Sequence, residues 1–299
     1  MLKLASILGL GLLTAACTTA GSSGAPGPSG SPGPSGSPGA TPAPTYSVPT
    51  GADQLVLRIT SGGGLVPVEY LLTHMPWFTL YGDGRIVVQG PTIEIYPAPL
   101  LPNLRQMHVT PAEIQKILAA ADRAGLLGPD ASFDATGVFD APSTTFTTIV
   151  DGKVHTISAY ALGLETTALD AAVAEARKKL SGFEDEVGDL TAFLGREVSD
   201  AEAYDAGAMR LFTRPADSSQ PDGLTRQVVA WPLSVDPGTA GEATRVPQTR
   251  CLVLSGPDLN AFMAIAKTAN TLTIWTYGAG RTSISVRPLY PDEAGCPAS

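Results

Sequence analysis

The chain lacks a run of about 20 apolar residues, the length needed to cross a bilayer, so it holds no classical spanning helix. Aromatic residues are 6% of the 299 positions, and there are three histidines and three cysteines, which leaves few groups for metal or redox chemistry. The folded region contains no GxSxG elbow, HExxH pair, Walker loop or Rossmann fingerprint, which excludes the enzyme classes those motifs define. The formal charge is -9, without clusters of Lys or Arg. Such a surface is a poor match for nucleic acid and is repelled by anionic lipid.

What is present begins with an address. Met1, Leu2 and Lys3 form a short positive region, and Leu4 to Leu13 follow as an apolar stretch fitting the core of a signal peptide over residues 1–16. It closes with Leu13-Thr14-Ala15-Ala16-Cys17, which resembles the lipobox of bacterial lipoproteins, although Thr14 stands where that family often has Leu. The resemblance implies cleavage before Cys17 and diacylglycerol on its thiol, and two acyl chains anchor stably where one does not. The expected location is therefore extracytoplasmic, on the outer face of the cell membrane. Residues 17–50 are almost entirely Gly, Ser, Pro, Ala and Thr and carry no charge. Such a segment cannot offset its ordering entropy and reads as a disordered tether. At ~3.1 Å per residue in Pro-rich chain it reaches up to about 100 Å. Glycine falls at every third position from 21 to 39, as in collagen, but the triplets are few and the spacer reading is preferred over a trimerising helix.

Residues 51–299 have the length and patterning of a globular α+β region. Strands are expected over 54–60, 66–72, 77–81 and 85–89, with Gly82-Asp83-Gly84 turning the last two. Asp151-Gly152 makes a second hairpin between 146–150 and 154–159, since both turn residues accept positive φ. A helix is marked by Thr110, Pro111 and Glu113 as a capping box, with Ile114, Ile117, Leu118 and Ala121 on one face. A second helix runs from Thr167 to Leu180, with Phe183, Val187, Leu190 and Leu194 extending the pattern. A third follows Ser255, with Leu259, Phe262, Met263 and Ala266 inward. The expected architecture is a hairpin-rich antiparallel sheet, or sheets, with about three helices. Tyr81-Gly82-Asp83-Gly84-Arg85 and Tyr277-Gly278-Ala279-Gly280-Arg281 share one pattern, which raises two similar halves meeting near residues 195–225. In an exported chain the remaining pair, Cys251 and Cys296, is expected as a disulfide.

Four stretches resemble a group of uncharacterised lipoproteins of high-GC Gram-positive bacteria: residues 55–59 (LVLRI), 62–70 (GGGLVPVEY), 80–85 (LYGDGR) and 287–293 (RPLYPDE). The resemblance implies secretion and lipidation and carries no activity or site. Other constellations are weaker. Ser143, His155 and Asp134 or Asp140 compose a triad only if geometry unites them. His74-Met75 and Met107-His108 pair imidazole with thioether, a copper-type set, yet neighbours on a strand face opposite ways. Asp130, Asp134 and Asp140 match no EF-hand spacing, and Gly62-Gly63-Gly64 is a glycine run with no helix expected after it. Trp77, Tyr81, Trp275 and Tyr277 lie in the two similar hairpins, as a joint binding surface or as packing. The functional expectation is a non-catalytic module that binds an envelope protein or ligand and needs no cofactor. The alternative is an extracytoplasmic hydrolase with a site assembled from scattered residues.

Overall fold

Alternation decides the first sheet. In Ser143–Val150 every second residue, Thr144, Phe146, Thr148 and Val150, is buried, the two-residue period of a strand with one face on a core. The computed structural model describes residues 45–164, 169–216 and 223–297. The expected leader, Cys17 and the expected tether up to residue 44 lie outside the described residues.

Eight strands form sheet 1: β1 (Leu55–Gly62), β2 (Phe78–Tyr81), β3 (Arg85–Gln89), β4 (Leu104–His108), β5 (Ala131–Phe133), β6 (Ser143–Val150), β7 (Lys153–Tyr160) and β8 (Glu202–Ala203). Their order is β5-β7-β6-β1-β2-β3-β4-β8. Sheet 2 has six: β9 (Ala208–Pro215), β10 (Val228–Ala230), β11 (Glu242–Ala243), β12 (Arg250–Ser255), β13 (Ile274–Tyr277) and β14 (Gly280–Pro288), in the order β10-β13-β14-β9-β12-β11. Pairing is antiparallel except for β5 with β7 and β10 with β13 at the sheet edges. The helices are α1 (Val68–Thr73), α2 (Pro111–Arg123), α3 (Ala171–Gly188), α4 (Leu190–Leu194) and α5 (Gly256–Ala266). The fold is α+β and hairpin-rich, with three long α-helices and two short ones among the described residues.

Both expected hairpins form, through different turns. Asp151 (φ 51°) and Gly152 (φ 70°) both take left-handed backbone. In Gly82-Asp83-Gly84 only Gly84 does (φ 87°), and its reason is contact: a Cβ there would sit 2.1 Å from the Val109 carbonyl oxygen. Helix α2 lays Ile114, Ile117, Leu118 and Ala121 on the sheet 1 core. Its expected capping box differs in detail. The Thr110 hydroxyl makes no bond to the helix amides and donates instead to the buried Glu113 carboxylate, which Lys116 also reaches at 3.1 Å. The expected start of the second helix at Thr167 lies outside the described residues. Asp170 caps α3 by accepting from the Ala172 amide at 2.8 Å, and Leu180, Phe183 and Val187 are buried beneath it.

Three expectations are corrected. The segment 66–72, read as a strand, is in its latter part helix α1. Both edges of β1 are taken by β2 and β6, so no ladder is open to it, and Pro67 is no obstacle at a helix start. The glycine run is therefore followed by a helix after all. The stretch read as tether cannot extend to residue 50. Tyr46 is 8% exposed, its amide donates to Gln115 Oε1 at 2.8 Å, and its hydroxyl donates to Asp122 Oδ2 at 2.9 Å, so residues 45–50 are docked on the fold. Finally, the halves are not alike. They differ in strand number and order, and Tyr81 is fully buried where Tyr277 is 37% exposed.

The chain passes from sheet 1 to sheet 2 between Ala203 and Ala208, inside the expected boundary stretch. The sheets are nevertheless stitched together. Leu100 enters the sheet 2 core and its amide donates to the Ala269 carbonyl at 3.0 Å. Tyr290, beyond β14, is buried against Tyr81 and Val87 of sheet 1. The described residues from 45 onward thus form one compact unit with two main cores. The second holds Trp231, Phe262 and Trp275, with ring centroids 5.4 to 5.8 Å apart.

Candidate functional site

Where the two sheets meet, the irregular link Tyr204–Gly207 and the segment Leu101–Leu104 face one flank of α5 across a cavity of about 540 Å³. The flank follows from helical spacing. Leu259, Phe262 and Ala266 turn into sheet 2, which leaves Asn260, Met263 and Lys267 on a neighbouring stripe that lines the cleft. The buried side chains of Leu104, Met209, Leu259 and Pro288 form its apolar floor, and Asp205, Asn260 and Lys267 are exposed around it. A volume of this order suits a drug-sized molecule, for which pockets run from about 300 to 1,000 Å³. A second groove of about 390 Å³ adjoins it, sharing Tyr204, Asp205 and Gly207 and adding Asp53, Arg85, Tyr290 and Glu293.

Behind the groove lies a charged junction. Arg58 Nη2 on β1 donates to Asp292 Oδ1 at 2.8 Å and to the Tyr81 hydroxyl oxygen at 3.2 Å, while that hydroxyl donates to Asp292 Oδ1 at 2.7 Å. Arg287 holds Glu293 through two bonds of 2.6 and 2.7 Å, the forked geometry of a strong pair. Its Nε donates to the His74 carbonyl at 3.1 Å. Burial works against the Asp292 charge, but the bond and charge of Arg58 and the Tyr81 hydroxyl prevail and hold its carboxyl below the usual range. Glu293 is likewise lowered, with burial overcome by Arg287. Burial raises the Tyr81 and Tyr290 hydroxyls and pushes Tyr204 up to about 12, so all three stay neutral.

Three of the four stretches singled out in the sequence meet here, and the remaining one lies next to His74. Arg58 comes from the first, Tyr81 and Arg85 from the third, and Arg287, Tyr290, Asp292 and Glu293 from the fourth. The second supplies Tyr70, whose ring lies 5.0 Å from that of His74. Their charges are mutually satisfied, so these residues weld the sheets and shape the cleft wall.

The other constellations do not assemble. Ser143 pairs with Tyr160 and His155 with Thr148, five residues along β6, which is about 17 Å at ~3.4 Å per residue. His155 Nδ1 is 2.8 Å from the Gly128 carbonyl. Asp130 accepts from the Thr156 amide, Asp134 from the Ser132 hydroxyl, and Asp140 sits in left-handed backbone. Among the described residues no three of His, Cys, Asp or Glu are grouped to hold a metal. Met75 and Met107 pack into different clusters and His108 is exposed. His74 lies half-buried with Nε2 unpartnered, and burial, then the Arg287 charge, lowers its pKa. Trp275 and Tyr81 are buried in separate clusters, so the four hairpin aromatics form no common surface. Cys251 and Cys296 form the expected disulfide.

The cleft residues were missed because nothing in their order marks them. Asp205 and Lys267 sit in unremarkable context, Met263 is expected inward but is only partly buried and lines the cleft, and Arg58 and Asp292 are 234 positions apart. Comparison with models of known protein families, with curated proteins and with solved structures found no match.

Proposed function

We propose that the chain is an exported lipoprotein, anchored by diacylglycerol on Cys17 to the outer face of the cell membrane, whose folded body binds a ligand or envelope partner without catalysing a reaction. The lipobox-like Leu13–Cys17 and the resemblance to high-GC Gram-positive lipoproteins support the anchor. The Cys251–Cys296 disulfide supports an oxidising compartment. With the fold engaged from Tyr46 onward, residues 18–44 remain as spacer, a reach of up to about 80 Å at ~3.1 Å per residue.

The observation that carries the binding reading is the cleft. It joins an apolar floor to a few polar side chains, the composition of a pocket that holds a small molecule. Expression of the full chain in a bacterium with a lipoprotein pathway, fed a palmitate analogue, tests the anchor. Label and membrane fractionation should both be lost in Cys17→Ala. An intact mass retaining Met1, or an unacylated mature chain, overturns it. The cleft is tested by native mass spectrometry of the wild type and of Leu101→Trp/Met263→Trp. A bound molecule lost on filling supports the reading, and turnover in a hydrolase panel that the same filling abolishes overturns it.

A further inference from the structure

The charges around the cleft are arranged with opposite signs on different elements. Lys267 is the C-cap of α5, and Asp205 belongs to the link between β8 and β9. Neither side chain takes part in an ion pair or hydrogen bond among the described residues, and neither does the Asn260 side chain on the α5 stripe. Past Asp205, in the adjoining groove, stands Asp53, also without a partner. The other charged side chains there are already engaged: Glu293 with Arg287, and Arg85 with Asp83 and the Ala52 carbonyl. What is left for a ligand is Asp205 near the start of α5, where Ala208 pairs with Ser255, with Asp53 beyond it in the adjoining groove, Lys267 at the far end of the helix, and the apolar side chains of Met209, Leu259 and Met263 along the cleft between them.

Taking the binding reading as given, we infer that this cleft takes a short apolar peptide with free termini. Its amine faces Asp205 and Asp53, its side chains lie over the two methionines, and its carboxylate faces Lys267. Methionine is unbranched and polarizable, so such a floor adapts to differing apolar side chains. The Asn260 carboxamide and the peptide groups of residues 205–207, which belong to no strand, can serve the ligand's own amides. A single-chain anionic amphiphile would match Lys267 but leave both carboxylates without a counter-charge. Peptides with free ends are products of proteolysis, so a hydrolytic reaction outside the cell would supply them.

The test is calorimetric titration of the mature chain carrying Cys17→Ser with trileucine, N-acetyl-trileucine, trileucine amide and laurate. Trileucine should bind saturably, and each blocked form should bind about tenfold or more weakly, the loss of one charge-assisted contact. Asp205→Asn should lose affinity for trileucine and become insensitive to acetylation, and Lys267→Gln should behave in the same way toward amidation. Met263→Trp should remove binding at an unchanged melting temperature; if that variant melts early, Leu101→Trp supplies the same check from the opposite wall. Blocked peptides binding as well as free ones, or charge variants without effect, overturn the inference. If laurate alone binds and the filling variants abolish it, the peptide falls while the cleft stands as a site. If neither ligand binds, and the filling variants release nothing that co-purifies with the wild type, both readings fall.

Discussion

Asp292 shows how one residue's chemistry is set by a strand far away in sequence. With Arg58, its side chain is mostly withdrawn from water, at 20% and 17% exposure respectively. Breaking a buried pair strands the surviving charge, which costs about 3–5 kcal/mol when fully buried. At this partial exposure Asp292→Asn should cost about 2–3 kcal/mol in urea unfolding, and Arg58→Met combined with Asp292→Leu should recover much of that loss. Because the folded-state pKa values of Asp292 and Glu293 lie below their unfolded values, their contribution is complete above the unfolded values. It fades as pH falls through the depressed folded ones. The acid limb of a pH–stability curve should therefore flatten in Asp292→Asn. Glu184 on α3 behaves in the opposite sense. Burial, aided by the neighbouring Asp185 charge, raises it to about 7. A raised pKa favours the fold fully below the unfolded value, and that advantage is lost as pH rises through the folded one. Glu184→Gln should thus melt higher than wild type at pH 8 and the same at pH 4; a shift equal at both pH values would contradict the assignment. None of these pairings is legible in sequence, since a single Arg or Asp letter carries no spacing signal when its partner is remote.

At the scale of elements, local chemistry was legible wherever it was self-sufficient. Asp-Gly turns, a Pro at a helix start and the 3.6-residue period of 111–123 need no distant partner, and all were realised. Gly84 shows where local reasoning stops. The turn was foreseen, but glycine is demanded there by the Val109 carbonyl as well as by backbone sign. Gly84→Ala should accordingly destabilise by about 2 kcal/mol or more, with strain and steric contact adding. Gly152→Ala meets no neighbouring atom within 4 Å and should cost only about 1 kcal/mol, for its φ alone. Thermal denaturation of the two variants side by side checks the ordering, and equal losses would rule out the contact. Helix α1 was misread because Val66–Leu72 is apolar enough for either state. The outcome was decided by β2 and β6, which already flank β1, and by a seat beside β14.

For the whole molecule the C-terminal strap is the decisive feature. It leaves β14 of sheet 2, sets Tyr290 and Asp292 on sheet 1, holds Glu293 back on Arg287 of β14, and returns to bond Cys296 to Cys251 on β12, while Arg210 donates to the Ala294 and Gly295 carbonyls. A crosslink across 45 residues restricts the unfolded chain by roughly 4 kcal/mol on the loop-entropy model. Cys251→Ser/Cys296→Ser should therefore lower the urea midpoint without splitting the transition, because Leu100 and Tyr290 still tie the two sheets. Two separated transitions, read from far-UV signal and tryptophan emission, would show that the strap alone joins them. The sequence by itself determined the α+β class, the principal hairpins and helices, and the disulfide, because turn stereochemistry, periodicity and the shortage of cysteines act locally or by elimination. Only the tertiary structure decided which strands share a sheet, that residues 45–50 belong to the fold, and that a cleft with unpaired charges opens beside α5. Those outcomes depend on which edges, faces and counter-charges remain available once the rest of the chain has packed, and no stretch of sequence contains that information alone.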